Sequence, residues 1–237
     1  MPFSFTWRFK MPDPIEIETG PSPRASIMLM HGLGAEGNDF VPVAHEMDLS
    51  AVGPVRFVFP NAPVMPVSLN GGYPMPAWYD IHPPQPGQPR REDEAGLRRS
   101  QAALEALLAR EKARGIPAGR IVIAGFSQGC AMALMTGLRH AQPLAGIVGL
   151  SGYLPIAATT AAERHPANQH TPIFMAHGQH DEMVVMSRAT ESRDLLRSLG
   201  YDVQWHDYPM PHSVCMEEIA DLARWLNQVL SAAPGQA

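Results

Sequence analysis

The sequence predicts an α/β protein with a mostly parallel central sheet and helices on both faces. Three observations lead there. Short apolar runs recur along the chain, most of them separated by helical patterns. Several of these runs lack polar alternation, as expected of strands covered on both sides. One of them, Ile121-Val122-Ile123-Ala124, runs through Gly125-Phe126-Ser127-Gln128-Gly129 into the helix-compatible Cys130 to Met135, a strand turning into a helix at a serine.

Six runs read as strands: Ala25 to Met30, Val55 to Phe59, Ile121 to Ala124, Gly146 to Leu150, Ile173 to Ala176 and Val203 to His206. The strongest helix spans roughly Glu92 to Arg114. Glu92, Asp93 and Glu94 open it while Arg110, Lys112 and Arg114 close it, each sign matching the helix dipole. Leu97, Leu104, Leu107 and Leu108 form its apolar face, and Gly115 and Pro117 stop it. A last helix is predicted at about Ser213 to Leu230, with Ser213 as its cap and Ile219, Leu222, Ala223 and Leu226 buried. Ala232 to Ala237 should fray.

Between Pro60 and Arg91 no element is clear, and proline saturates the stretch. A loop of that length in a compact domain is either functional or packed onto the core. Met65, Leu69, Tyr73, Met75, Trp78 and Tyr79 give it apolar and aromatic surface. No repeat or linker divides the chain. It is read as one domain, 1–237, with a core at about 25–230 and a candidate pocket-covering loop at about 60–91.

Hydrophobic residues make up 45% and charged residues 17%, which fits a globular protein and not a disordered one. The formal net charge of −5 argues against a nucleic-acid-binding surface, which needs a basic stripe. Pro2, Pro12 and Pro14, with Arg8, Lys10 and Asp13, interrupt the N-terminal segment before any signal-peptide run can form. Two uncharged stretches, Ile121 to Leu138 and His140 to Ala162, are long enough to be tested as membrane spans. Gly125, Ser127, Gln128 and Gly129 sit inside the first and Pro143 and Pro155 inside the second, so both suit buried strands and helices better. The expectation is a soluble, cytoplasmic protein. Cys130 and Cys215 are the two cysteines, and isolated thiols in a reducing compartment behave as small buried apolar groups. Each follows a candidate catalytic residue by three positions, so a disulfide requires those two residues to meet.

A strand-to-helix turn holds Ser127 in a strained, exposed position. Glycines flank it because a Cβ at so tight a corner would collide with the neighbouring strand and helix. The helix behind it offers free N–H groups and partial positive charge to an anion. A serine hydroxyl still needs a base. His212, in Pro209-Met210-Pro211-His212-Ser213, lies between the last strand and the final helix, and no apolar periodicity assigns it to the core. Serine, then an acid, then histidine is the chain order for a nucleophile on such an elbow.

The acid is expected after the strand Ile173 to Ala176, in His177-Gly178-Gln179-His180-Asp181. Asp181 there would fix the imidazole tautomer and stabilise the imidazolium. Glu182 is the nearest rival and Asp207 a weaker one, and a turn-forming Asp is the alternative reading of Asp181. An oxyanion needs two N–H donors. One is expected from Gln128, after the nucleophile, and the other from Leu33 in the glycine-bracketed turn His31-Gly32-Leu33-Gly34. His31, His177, His180 and His206 follow separate strands without metal-ligand spacing, so neither a metal nor a cofactor is expected.

His31-Gly32-Leu33-Gly34, Pro60-Asn61-Ala62-Pro63, Met75 to Ile81, Gly125 to Gly129, Gly149-Leu150-Ser151-Gly152 and Met210-Pro211-His212-Ser213 occur in that order. Together they resemble the carboxylesterase and acyl-protein thioesterase family, also called phospholipase/carboxylesterase, over about Ile27 to Leu226. The resemblance implies an α/β-hydrolase fold, with Ser127 as nucleophile, Asp181 as acid, His212 as base and the Leu33 and Gln128 amides as oxyanion hole. Three features depart from the pattern. Cys130 stands where many members have glycine, Val185-Met186 replaces the usual Val-Pro, and the insert Pro83 to Arg91 looks variable. The expected activity is hydrolysis of short to medium carboxylic esters through an acyl-enzyme, with Trp78, Met75 and Tyr79 contacting a small acyl substrate. Thioester or lysophospholipid cleavage is the alternative, and a non-catalytic binding protein on the same scaffold is a third reading. A homodimer is implied by the resemblance alone.

Overall fold

The computed structural model describes residues 11–88 and 90–231. The expected fraying of Ala232 to Ala237, and the first ten residues of the segment read for a leader, lie outside these. Seven strands form the central sheet: β1 (Ile15–Glu18), β2 (Ala25–Met30), β3 (Val55–Phe59), β6 (Ile121–Phe126), β7 (Gly146–Leu150), β8 (Ile173–Gly178) and β9 (Val203–Tyr208). Their spatial order is β1-β3-β2-β6-β7-β8-β9. Every neighbouring pair is parallel except the edge pair β1–β3. Two further strands, β4 (Val64–Val67) and β5 (Tyr73–Pro76), make a separate antiparallel ribbon inside the segment where the sequence shows no element. Proline is tolerated there because a two-stranded ribbon is all edge. Gly71 and Gly72, at φ 66° and 81°, supply the left-handed turn between its arms.

Alternation along each strand splits the core in two. Ile27 and Leu29 of β2 join one apolar layer, with Phe57 and Phe59. Against it lies α6 (Met216–Ser231), through Ile219, Leu222, Trp225 and Leu226. Met28 and Met30 face the other layer, beneath α2 (Glu94–Ala113), α3 (Gln128–Arg139) and α5 (Met186–Ser198). Two short helices, α1 (Val41–His45) and α4 (Ala157–Glu163), complete the set. The two stretches weighed as membrane spans resolve into β6 with α3, and β7 with α4 and their connections. Among the described residues no helix is long and apolar enough to cross a membrane.

Two helix starts differ from expectation. Asp93, and not an earlier acid, caps α2, its side chain accepting the Gly96 amide at 2.9 Å. Glu92 instead pairs with Ile81 in an isolated bridge. The final helix begins at Met216, so Ser213 is not its cap. The Ser213 amide is taken by the Pro211 carbonyl at 2.8 Å, and this tight turn must be completed before helical bonds can start.

Candidate active site

Ser127 stands at the junction of β6 and α3 with φ 56° and ψ −115°. A non-glycine residue held at positive φ costs about 1–3 kcal/mol and persists only where its surroundings fix it. Here the Ser127 amide is held by the Leu150 carbonyl at 2.9 Å. The flanking glycines are sterically required. A Cβ on Gly125 would overlap the Gly129 carbonyl, and one on Gly129 would overlap the Met30 carbonyl.

The carboxyl ends of four parallel strands converge on this serine. β6 delivers Ser127, β8 leads to Asp181, β9 leads to His212 and β2 leads to the His31–Gly34 turn. His212 Nε2 lies 2.9 Å from Ser127 Oγ, and His212 Nδ1 lies 2.7 Å from Asp181 Oδ2. Since a carboxylate only accepts, Nδ1–H donates to Asp181 and the bare Nε2 accepts the serine hydroxyl. Asp181 Oδ1 accepts the amides of Met183 and Val184 at 2.9 and 2.8 Å, so its fully buried carboxylate has partners for both oxygens. The Phe126 ring, 4.8 Å from the imidazole, backs His212. The rivals go elsewhere: Asp207 accepts from Gln179, and Glu182 is exposed.

Gln128 is the first residue of α3, where the amide has no preceding turn to bond. Leu33 sits in the turn after β2, and a Cβ on the adjacent Gly32 would stand 3.2 Å from Ser127 Cβ. Among the described residues no acceptor takes the Leu33 amide, whereas the next amide, Gly34, is bound by Pro76 of β5 at 2.8 Å. His31, weighed as a metal ligand, is spoken for within the turn. Its Nδ1–H donates to the Gly32 carbonyl at 2.7 Å and its Nε2 accepts the Ala62 amide at 3.0 Å. Burial lowers its pKa, which keeps the ring neutral. His177 is likewise lowered by burial and donates through Nε2 to the Val184 carbonyl at 2.7 Å, beneath Asp181. His206 stacks between Phe174 and Tyr208.

The expected substrate contacts divide. Met75 is half-buried, and its sulfur is 3.8 Å from where a Cβ would stand on Gly34. Trp78 and Tyr79 differ from the expectation, being 0% and 3% exposed. The Trp78 indole N–H donates to the His31 carbonyl at 2.8 Å, and the Gln128 side chain bonds the Trp78 amide and the Tyr79 carbonyl at 3.0 and 2.8 Å. So large an apolar ring with its one donor satisfied belongs in the core, where it braces the His31–Gly34 turn. That role for the Gln128 side chain has no sequence signal, because its partners lie some fifty residues away. Cys130 and Cys215 are both free thiols.

A family model described as Phospholipase/Carboxylesterase matches residues 14–230. Acyl-protein thioesterase 1 of Yarrowia lipolytica is 40% identical over 218 residues, covering 90% of this chain and 96% of that protein. Acyl-protein thioesterase 1 of Mycosarcoma maydis is 39% identical over 232 residues, covering 92% and 96%. Among solved structures, Arabidopsis thaliana SOBER1 superposes with a TM-score of 0.81 at 28% identity, covering 87% of this chain and 99% of that one. Esterase PE8 gives 0.77 at 26% identity, covering 93% and 99%. The sheet order and the strand-to-helix serine agree with these likenesses, and the chain belongs to the phospholipase/carboxylesterase family of α/β-hydrolases, as a serine hydrolase acting on esters.

Proposed function

We propose that the protein hydrolyses carboxylic esters of short to medium acyl chains through an acyl-enzyme on Ser127. The contact that carries this reading is the continuous line Ser127 Oγ, His212, Asp181, with gaps of 2.9 and 2.7 Å. His212 Nε2 takes the hydroxyl proton as the oxygen attacks the ester carbonyl, and Asp181 holds the imidazolium that results. The Leu33 and Gln128 amides receive the developing oxyanion, aided by the N-terminus of α3. His212 then returns the proton to the leaving alcohol, and water repeats the sequence to free the acid. Met75 and the exposed Val64 and Leu69 of the ribbon region supply apolar contact for the acyl chain.

Replacing Ser127 with Ala should leave the fold intact and lower turnover of 4-nitrophenyl butyrate by about 10³-fold or more. Full activity in the purified variant would remove the assignment. Thioester cleavage is a second reading, supported by the names of the relatives at 39–40% identity. The same groups serve a sulfur leaving group, so kcat/KM on matched oxygen and sulfur esters separates the two. A cytoplasmic location accords with two unpaired cysteines. A homodimer is part of this reading, to be checked by sedimentation.

A further inference from the structure

The groups already described leave a second feature unused. A cavity of about 280 Å³ opens between the segment after β7 and the first turns of α5, lined by Tyr153, Leu154 and Ser192 and by four charged side chains, Arg188 with the exposed Arg90 of one sign and Glu92 with Glu191 of the other. Its Tyr153 wall follows a segment that packs on the backbone of Ser127. A Cβ on Gly152 would stand 2.8 Å from the Ser127 carbonyl oxygen, so the next Cα, that of Tyr153, lies within roughly 8 Å of that carbonyl. The cavity wall is fixed. Tyr153 Oη is 3.0 Å from Tyr79 Oη, and the Leu154 amide donates to Ser192 Oγ at 2.9 Å. Ile156 adopts φ 40° and ψ 45°, a left-handed conformation that a β-branched residue resists. The Glu92 carboxylate holds it there by accepting its amide at 3.0 Å on each oxygen.

Within this wall, Arg188 lies over the Tyr153 ring, its guanidinium carbon 3.5 Å from the centroid. The stack restrains the side chain, yet among the described residues no carboxylate or carbonyl takes its N–H groups. Glu92 is engaged with Ile156, and Glu191, one turn further along α5, is exposed at the rim. A partly buried guanidinium with its donor fork open is suited to a planar two-oxygen acceptor. We propose that this cavity is a carboxylate subsite, and that Arg188 selects esters bearing an anionic group a few atoms from the bond to be cleaved. About nine waters would fill the volume by their share of liquid, enough for a short carboxyl-terminated chain.

The kinetic test rests on the esterase reading, and a binding test stands free of it. The selectivity ratio is kcat/KM on the mono-4-nitrophenyl ester of adipic acid divided by that on 4-nitrophenyl hexanoate. Arg188→Met should lower this ratio about 10- to 100-fold, chiefly through KM. The pair 4-carboxyphenyl and phenyl hexanoate places the charge on the leaving group instead. A fall confined to that pair assigns the carboxylate to the alcohol side. Ratios unchanged within about threefold for both pairs overturn the subsite, and so does a rise of either ratio in Arg188→Met, since losing the cation should not favour the anionic ester. If the wild type cleaves none of these esters, the esterase reading fails separately. Calorimetric titration of Ser127→Ala protein with adipate then decides, because adding Arg188→Met should weaken binding by about tenfold or more, and equal or absent binding in both proteins refutes the proposal.

Discussion

The distance from Asp181 to His212 matters less than what holds each Asp181 oxygen. Oδ1 is fixed by two backbone amides, so only Oδ2 faces the imidazole. An asparagine here would keep its carbonyl oxygen toward those amides, since its NH₂ cannot accept from them. The NH₂ would then face His212 Nδ1 and impose the tautomer that carries its proton on Nε2, where it can no longer accept from Ser127. Asp181→Asn is therefore expected to lower kcat about 10³- to 10⁴-fold, with a melting temperature near that of the parent, on the proposed assignment of roles. Retained activity would show that the imidazole needs no such orienter. The residue types and their order were legible in the sequence because a strand ending in a glycine-bracketed serine leaves few conformations open. Tyr153 and Arg188 were not legible, because a ring and a guanidinium 35 positions apart have no local relationship.

Elements were readable where apolar side chains followed the period of the backbone. The β2, β3 and β7 ranges coincide with the apolar runs, and α2 lies inside its expected span. β1 was not among the strands read from the sequence, since Ile15-Glu16-Ile17-Glu18 is a four-residue alternation with no apolar run; its isoleucines pack on the core while Glu18 meets Arg56 at 2.9 Å. α5 escaped notice because its buried face is Ala189, Ser192 and Leu196, too small and polar for an apolar stripe. The β4–β5 ribbon was hidden by prolines that normally argue against strands. Asp93 joins two such elements: Oδ1 caps α2 while Oδ2 accepts the Asp80 amide at 3.0 Å. Asp93→Ala should accordingly cost about 1–2 kcal/mol in urea unfolding. A loss no larger than that of an exposed surface substitution would mean that neither bond contributes.

Glu218 of α6 is wholly buried, and neither carboxyl oxygen has a partner among the described residues. Burial pushes its carboxyl up to about 8. Because this folded value exceeds the ordinary one, the native state keeps a proton that the unfolded chain releases. Its contribution to stability is therefore greatest at low pH and is lost as pH rises from about 4.5 through 8. Glu218→Gln removes that slope. The variant should gain on the parent as pH rises, by on the order of 2–4 kcal/mol at pH 9, read from denaturant midpoints at pH 5, 7 and 9. A gap that stays constant with pH would mean that Glu218 ionises freely in the native state. The same contrast runs through the molecule. Period, turn chemistry and residue order, all properties of neighbours in the chain, specify the alternating strands and helices and the serine elbow. Which carboxyl is left unpaired, which aromatic rings go under the His31–Gly34 turn and which guanidinium is left open depend on side chains that meet only after the sheet has assembled. Those contacts arise from packing across strands, and no local pattern encodes them.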